Sequence, residues 1–148
     1  MTWLPRFQHP GRVDLGAGYH LRPIRKSDVD IDYPAVMGSR ERLWSIYGVA
    51  WRWPSSTMTL EEDRLDLARH EREMEAGGSF NYAILDEPEH RLLGCVYLDP
   101  SPEPEHDAVV SWWVIDEMVG TELDLRLRDF VPAWIEKSWP FTKVHFGV

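Results

Sequence analysis

Four aromatic residues stand close together in the chain: Trp44, Tyr47, Trp51 and Trp53. Indole and phenol rings hold a cation over their faces. In a protein of net charge −9 such a cluster can wall a site for an amine, or it can simply pack its segment onto the domain. Asp99, His106 and Asp107 flank the ends of predicted strands. One of them can serve as a general base through a water, and the plainer reading makes all of them exposed loop residues. Ser111 and Asp116 border a strand, turn and helix, and take no role from the sequence alone. Cys95 sits within an apolar run and reads as a small core residue rather than a nucleophile. The histidines at 9, 20, 70, 90, 106 and 145 show no ligand spacing with one another or with cysteine, so no metal site is expected. No catalytic residue is assigned.

The elements that must position these residues centre on 111–139. Val109 to Ile115 is β-branched and aromatic, as a buried strand should be. Residues 116–120 turn the chain, and Thr121 with Asp124 has the spacing of a capping box that opens a helix. Leu123, Leu127, Phe130, Val131, Trp134, Ile135 and Ser138 then recur on one helical face. Pro132 falls on its polar face and should bend the helix around the core. Phe141 to Val148 reads as another strand. A strand, a helix and a strand in succession make a crossover, so Val109–Ile115 and Thr142–Val148 are expected to be parallel neighbours. The start of such a helix, beside the end of its strand, favours an anionic ligand.

Upstream, Met1 to Pro10 reads as an arm lying on the domain. Val13 to Leu21 reads as a hairpin about Gly16-Ala17-Gly18, with Pro23 at an edge or a bulge. A helix follows Ser27-Asp28, interrupted by Pro34 and broken at Gly38-Ser39. A short helix covers Arg40 to Tyr47 and stops at Gly48. Thr59 and Glu62 form another capping box, opening a charged helix to about Ala76 whose apolar stripe is Leu60, Leu67, Ala68 and Met74. Gly77-Gly78 ends it. Strands are expected at Ser79–Leu85 and Arg91–Leu98, with an acidic, proline-rich loop at Asp99–Asp107.

With 148 residues, 43% hydrophobic and 28% charged, the chain fits one α+β domain over 1–148, with 1–18 as the arm and first hairpin strand. The acidic balance argues against nucleic acid or an anionic membrane as partner. A single cysteine and no long apolar run point to a cytoplasmic protein.

Three stretches, in this order, resemble the GCN5-related N-acetyltransferases (the GNAT family). His20-Leu21-Arg22-Pro23-Ile24-Arg25 with Ser27-Asp28 is similar to the family's first strand and helix entry. Leu92-Leu93-Gly94-Cys95-Val96-Tyr97-Leu98 is similar to its third strand, and Ala108 to Val114 to its fourth. The resemblance covers 20–148. It implies a mixed, mostly antiparallel sheet with a parallel pair and flanking helices, with acetyl-CoA lying where the fourth and fifth strands splay. On that pattern Trp113, Val114 and Ile115 would hold the pantetheine arm, and Met118, Val119, Gly120 and Thr121 the pyrophosphate. Trp44, Tyr47, Trp51 and Trp53 would wall the acceptor site. The implied activity is acyl transfer to an amine of a small molecule by direct attack. The alternative is a catalytically silent domain of this fold that binds another ligand or a protein.

The chain also departs from the pattern. Only Gly120 matches the (R/Q)-x-x-G-x-(G/A) phosphate loop. Glu117 and Glu122 stand at its ends and should weaken acetyl-CoA binding by repulsion. Val109 replaces the glutamate that often serves as base. No counterpart of the usual C-terminal helix and last two strands follows, so an exposed edge at Thr142–Val148 suggests a homodimer or a truncated chain.

Overall fold

The computed structural model describes residues 3–148. Met1 and Thr2, the start of the expected arm, lie outside the described residues. Six strands form one sheet in chain order: β1 (Val13–Gly16), β2 (Tyr19–Pro23), β3 (Phe80–Asp86), β4 (Leu92–Pro100), β5 (Ala108–Val114) and β6 (Val144–Phe146). Neighbours are antiparallel as far as β5, and β5 pairs with β6 in parallel. Helices α1 (Val29–Gly38), α2 (Arg40–Trp51) and α3 (Leu60–Ala76) fall between β2 and β3, and α4 (Glu122–Ser138) joins β5 to β6. This is the mixed α+β sheet, with its parallel pair, that the sequence leads one to expect.

Alternation along the strands sorts their residues onto two faces. Asn81 of β3, Tyr97 of β4 and Ser111 of β5 are register partners and form a row across one face. The helices before β3 cover this face, and the Tyr47 hydroxyl of α2 donates to Ser111 Oγ at 3.1 Å. The other face is covered by α4 and the arm. Trp134 meets Tyr82 edge-on at 4.9 Å, Trp139 meets Phe80 at 5.0 Å, and Trp3 stacks on Phe141 at 5.0 Å. The apolar stripe of α4 is the stripe that is buried: Leu123, Leu127, Val131, Trp134 and Ile135. Gly94 is required by the sheet itself, since a Cβ there would lie 1.9 Å from the Trp113 carbonyl oxygen.

Several local expectations are corrected. Helix α1 runs through Pro34. Pro34 and Asp30 both lie on its exposed side, so the carbonyl that loses its helical donor can turn to water. Helix α2 continues past Gly48 and ends at Arg52, which adopts a left-handed conformation. Gly48 belongs inside the helix because the Trp44 ring lies over it: a Cβ there would meet the indole at 2.8 Å. Strand β6 is shorter than expected, three residues. On α3 the buried face carries Asp63 with Leu67 and Met74, while Leu60 is exposed. The Thr59–Glu62 capping box is present as expected. That of Thr121 and Asp124 is not: Asp124 accepts from Gly120 N–H at 2.8 Å, and the Thr121 hydroxyl donates to the Met118 carbonyl. Pro23 pairs only with Tyr82, because β1 reaches no further than Leu21.

Candidate functional site

A cleft of about 690 Å³ opens between α3, the end of α2 and the face of the sheet bearing Asn81 and Tyr97. One wall is aromatic. The left-handed end of α2 turns Trp51 and Trp53 back onto the sheet, where Trp51 stacks on Tyr47 at 4.5 Å and meets Tyr97 edge-on at 5.1 Å. Trp53 contacts Tyr47, Tyr97 and Trp113. Trp113 Nε1 donates to the Tyr97 hydroxyl at 2.8 Å, which ties the wall to β5. Tyr47 is fully buried and holds the cluster together, whereas Trp51 is 40% exposed and presents a ring to the cleft. Trp44 does not join them: it lies on the outside of α2 beneath the Arg40 guanidinium.

The other walls are acidic. Asp32, Glu62, Asp63, Asp66, Glu73 and Asp99 line the cleft, against Arg52 and Arg69. Arg69 is already engaged by Asp66 and Glu73. His70 is held neutral, its pKa lowered to about 4 by burial and by Arg69. Burial, reinforced by the charge of Glu73, raises the Asp99 carboxyl to about 6. Asp32 and Asp63 are both raised above the ordinary carboxylate range, chiefly by burial. The charge of Asp63 raises Asp32 further, so the pair retains a proton.

Of the three candidate bases, only Asp99 lines this cleft. It is the register partner of Val109, so it shares that residue's face of the sheet one strand away. Asp107 instead accepts from the hydroxyl and N–H of Thr142 and from Lys143 N–H, contacts that hold its carboxyl down to about 2. His106 packs beside His145 at 5.4 Å. Cys95 is buried and its thiol pKa is raised by that burial, as suits a core residue.

The β5–β6 pairing runs from Ala108–Val144 to Val110–Phe146, and Gly147 N–H donates to the Val110 carbonyl at 2.9 Å. Ile115 N–H donates back to Leu93 across the β4 side. Alternation therefore turns the N–H groups of Trp112 and Val114 to the side of β5 away from β4. Arg42 of α2 reaches the same edge, donating to the Val114 carbonyl and to Asp116. The first turn of α4 follows at once, with no side chain capping it, so the N–H groups of Glu122, Leu123 and Asp124 remain available. The turn before it is closed on itself. Met118, Val119 and Thr121 donate to carbonyls within 115–118, and Gly120 donates to Asp124. Glu117 and Glu122, expected to repel a pyrophosphate, are paired with Arg91 and Arg126 respectively. Trp113–Ile115 and Met118–Thr121 lie along the end of β5 and the turn into α4.

Asp32, Asp63, Asn81 and Tyr97 were not singled out from the sequence as site residues. A signal exists for the acids: Asp32 and Asp63 each fall on the buried face of their helix, with Ala35 and Val36 in one case and Leu67 in the other. Among the described residues, no group of three or more His, Cys, Asp or Glu could hold a metal ion, and no helix is long and apolar enough to cross a membrane.

No family model and no curated protein matches the chain. Solved structures do. A ribosomal-protein-alanine acetyltransferase from Vibrio fischeri is similar over 86% of this chain and 68% of its own, at 20% identity and a TM-score of 0.67. The microcin self-immunity acetyltransferase MccE, in complex with acetyl-CoA and AMP, is similar over 88% of this chain and 70% of its own, at 8% identity and a TM-score of 0.68. A chimera of the spermidine N-acetyltransferase SpeG from Vibrio cholerae with hSSAT covers the same shares at 12% identity and a TM-score of 0.62. At these identities the likeness speaks for the backbone and its topology. The fold of this chain is that of the GCN5-related N-acetyltransferases.

Proposed function

We propose that the chain transfers an acetyl group from acetyl-CoA to an amine of a small molecule. The observation that carries this reading is the acidic aromatic cleft, which abuts β5 through Tyr97 and Trp113 on a sheet with the acetyltransferase fold. Two similar structures are complexes with coenzyme A or acetyl-CoA, which supports a donor of this kind. Trp113, Val114 and Ile115 would line the pantetheine arm. Thr121 and the first turn of α4, with Arg42 and Arg91 nearby, would meet the phosphates.

Acetyl-CoA supplies the acetyl group as a thioester when bound. The N–H groups of Trp112 and Val114 would polarise its carbonyl. Trp51, Trp53 and Tyr97 hold the amine by ring contacts. Asp99, with a pKa of about 6, lies at least three residues along the register from Trp112, so it would take the ammonium proton through a chain of waters, which frees the nitrogen lone pair for attack. As the C–N bond forms and the C–S bond breaks, the nitrogen would shed its second proton and the departing thiolate would take it up.

One observation favours the silent-domain alternative: Asp124 occupies Gly120 N–H, where a phosphate oxygen would otherwise bind. Two measurements separate the readings. Acetyl-CoA at a hundred times its dissociation constant should stabilise the protein by roughly 2.7 kcal/mol, and mass spectrometry should detect acetylated amine. Absence of both effects would replace the enzyme with the silent domain.

A further inference from the structure

Two buried acceptor atoms in the cleft have no hydrogen-bond partner: Asp63 Oδ2 and Asn81 Oδ1. Their residues are 2% and 4% exposed, and both line the cleft. A buried, unpaired acceptor costs on the order of 1–3 kcal/mol, and more when charged. Asn81 Oδ1 requires a donor and cannot supply one, and Asp63 Oδ2 requires one whenever Asp63 is ionised. Asp32, which is 4% exposed, faces Asp63 from α1 and adds a second carboxylate. Arg69, the cation on this stretch of α3, is occupied by Asp66 and Glu73.

We propose that this inner end of the cleft is a subsite for a second ammonium group, so that the acceptor is a diamine or polyamine held at one end by Asp63 and Asn81 while its other end reacts. An ammonium carries several donors and one positive charge, which answers two unpaired acceptors beside a carboxylate pair. The proton retained between Asp32 and Asp63 can be released as the cation arrives. The register sets the length of the molecule. Asn81, Tyr97 and Ser111 are successive partners across β3, β4 and β5, so the subsite lies two strand spacings from the reacting edge, about 10 Å. A spacer of about four to eight atoms spans that distance, and the rings of Trp51, Trp53 and Tyr97 cover its methylenes. The assignment of the reacting end rests on the acetyltransferase reading. The cation subsite does not.

The test uses putrescine and butylamine, which differ in the second amine, with the full chain. Calorimetry without acetyl-CoA should show putrescine binding at least about tenfold more tightly than butylamine, the size of one charge-assisted contact. Asp63→Asn should remove that difference. It removes one acid of a buried carboxylate pair, so its melting temperature should not fall, and Asn81→Ser is a second variant that should narrow the difference. Equal binding of the two amines, or a preference unchanged in both variants, overturns the subsite. Acetylation is then scored separately. Putrescine that binds selectively but is never acetylated supports the subsite and removes the acetyltransferase reading. Butylamine acetylated as readily as putrescine supports that reading and overturns the subsite.

Discussion

Asp99 shows how surroundings change the chemistry of one side chain. In the sequence it opens a proline-rich acidic loop and resembles any exposed carboxylate. In the fold it ends the row of β4 residues facing the cleft, and burial raises its pKa from 3.8 to about 6. A carboxyl raised in this way favours the folded state in its protonated form. Its stabilising contribution is full below the ordinary value of 3.8 and is lost as pH rises through about 6. Asp99→Asn should therefore raise the melting temperature relative to the parent above about pH 6 and leave it unchanged below about pH 4. The same substitution should lower the acetylation rate by roughly a hundredfold or more and abolish the rise in rate through about pH 6. A variant that keeps both the rate and the acid limb would exclude Asp99 as the base.

On the proposed reading, the start of α4 is where an element, rather than a residue, sets affinity. The helix presents free N–H groups and the positive end of its dipole. Repulsion from Glu117 and Glu122 is offset by their arginine partners. The competing anion belongs to the chain itself, since Asp124 accepts from Gly120 N–H at 2.8 Å. Asp124→Ala should release that donor, with two opposed consequences. The helix loses a cap-like contact and about 0.5–2 kcal/mol of stability, while acetyl-CoA binds more tightly, most visibly at low salt. Thermal melts and calorimetry on the same variant measure both. Weaker binding in Asp124→Ala would mean that the closed turn is already the binding conformation.

Across the whole molecule, pH acts on two groups of carboxylates in opposite senses. Arg22 of β2 donates to Asp28 at 2.8 Å and to Glu89 at 3.0 Å, and His20 lies 2.6 Å from Glu89, which pins the β3–β4 turn to β2. Arg22 lowers the Glu89 carboxyl from 4.5 to about 2. The stability from this contact is present above pH 4.5 and is lost as pH falls toward about 2. The cleft acids behave in the opposite way, being more stable when protonated. The melting temperature should accordingly peak at about pH 4, where the two ranges meet, and not at neutral pH. Arg22→Ala leaves Asp28 buried without its partner and should cost about 3–5 kcal/mol, measured by denaturant unfolding. A small loss would show that the network is solvated rather than structural.

The chain order of apolar stripes and turns was sufficient for the architecture. Periodicity marks α4 by Leu123, Leu127, Val131 and Trp134, and the strand–helix–strand spacing alone requires β5 and β6 to be parallel. Capping chemistry at Thr59 and Glu62 is local, and so was legible. The helix boundaries at Pro34 and Gly48 were not, because tertiary surroundings overrode local propensity: one carbonyl faces solvent, and one glycine lies under Trp44. The aromatic cluster was visible as a group, but only packing separates Trp44 from Tyr47, Trp51 and Trp53 and adds Tyr97 and Trp113. The acidic cleft depends on distance most of all. Asp32, Asp63, Asn81 and Asp99 come from four different elements. No spacing along the chain encodes their meeting, because the sheet register and the seating of α3 decide which of their oxygens are buried without a partner.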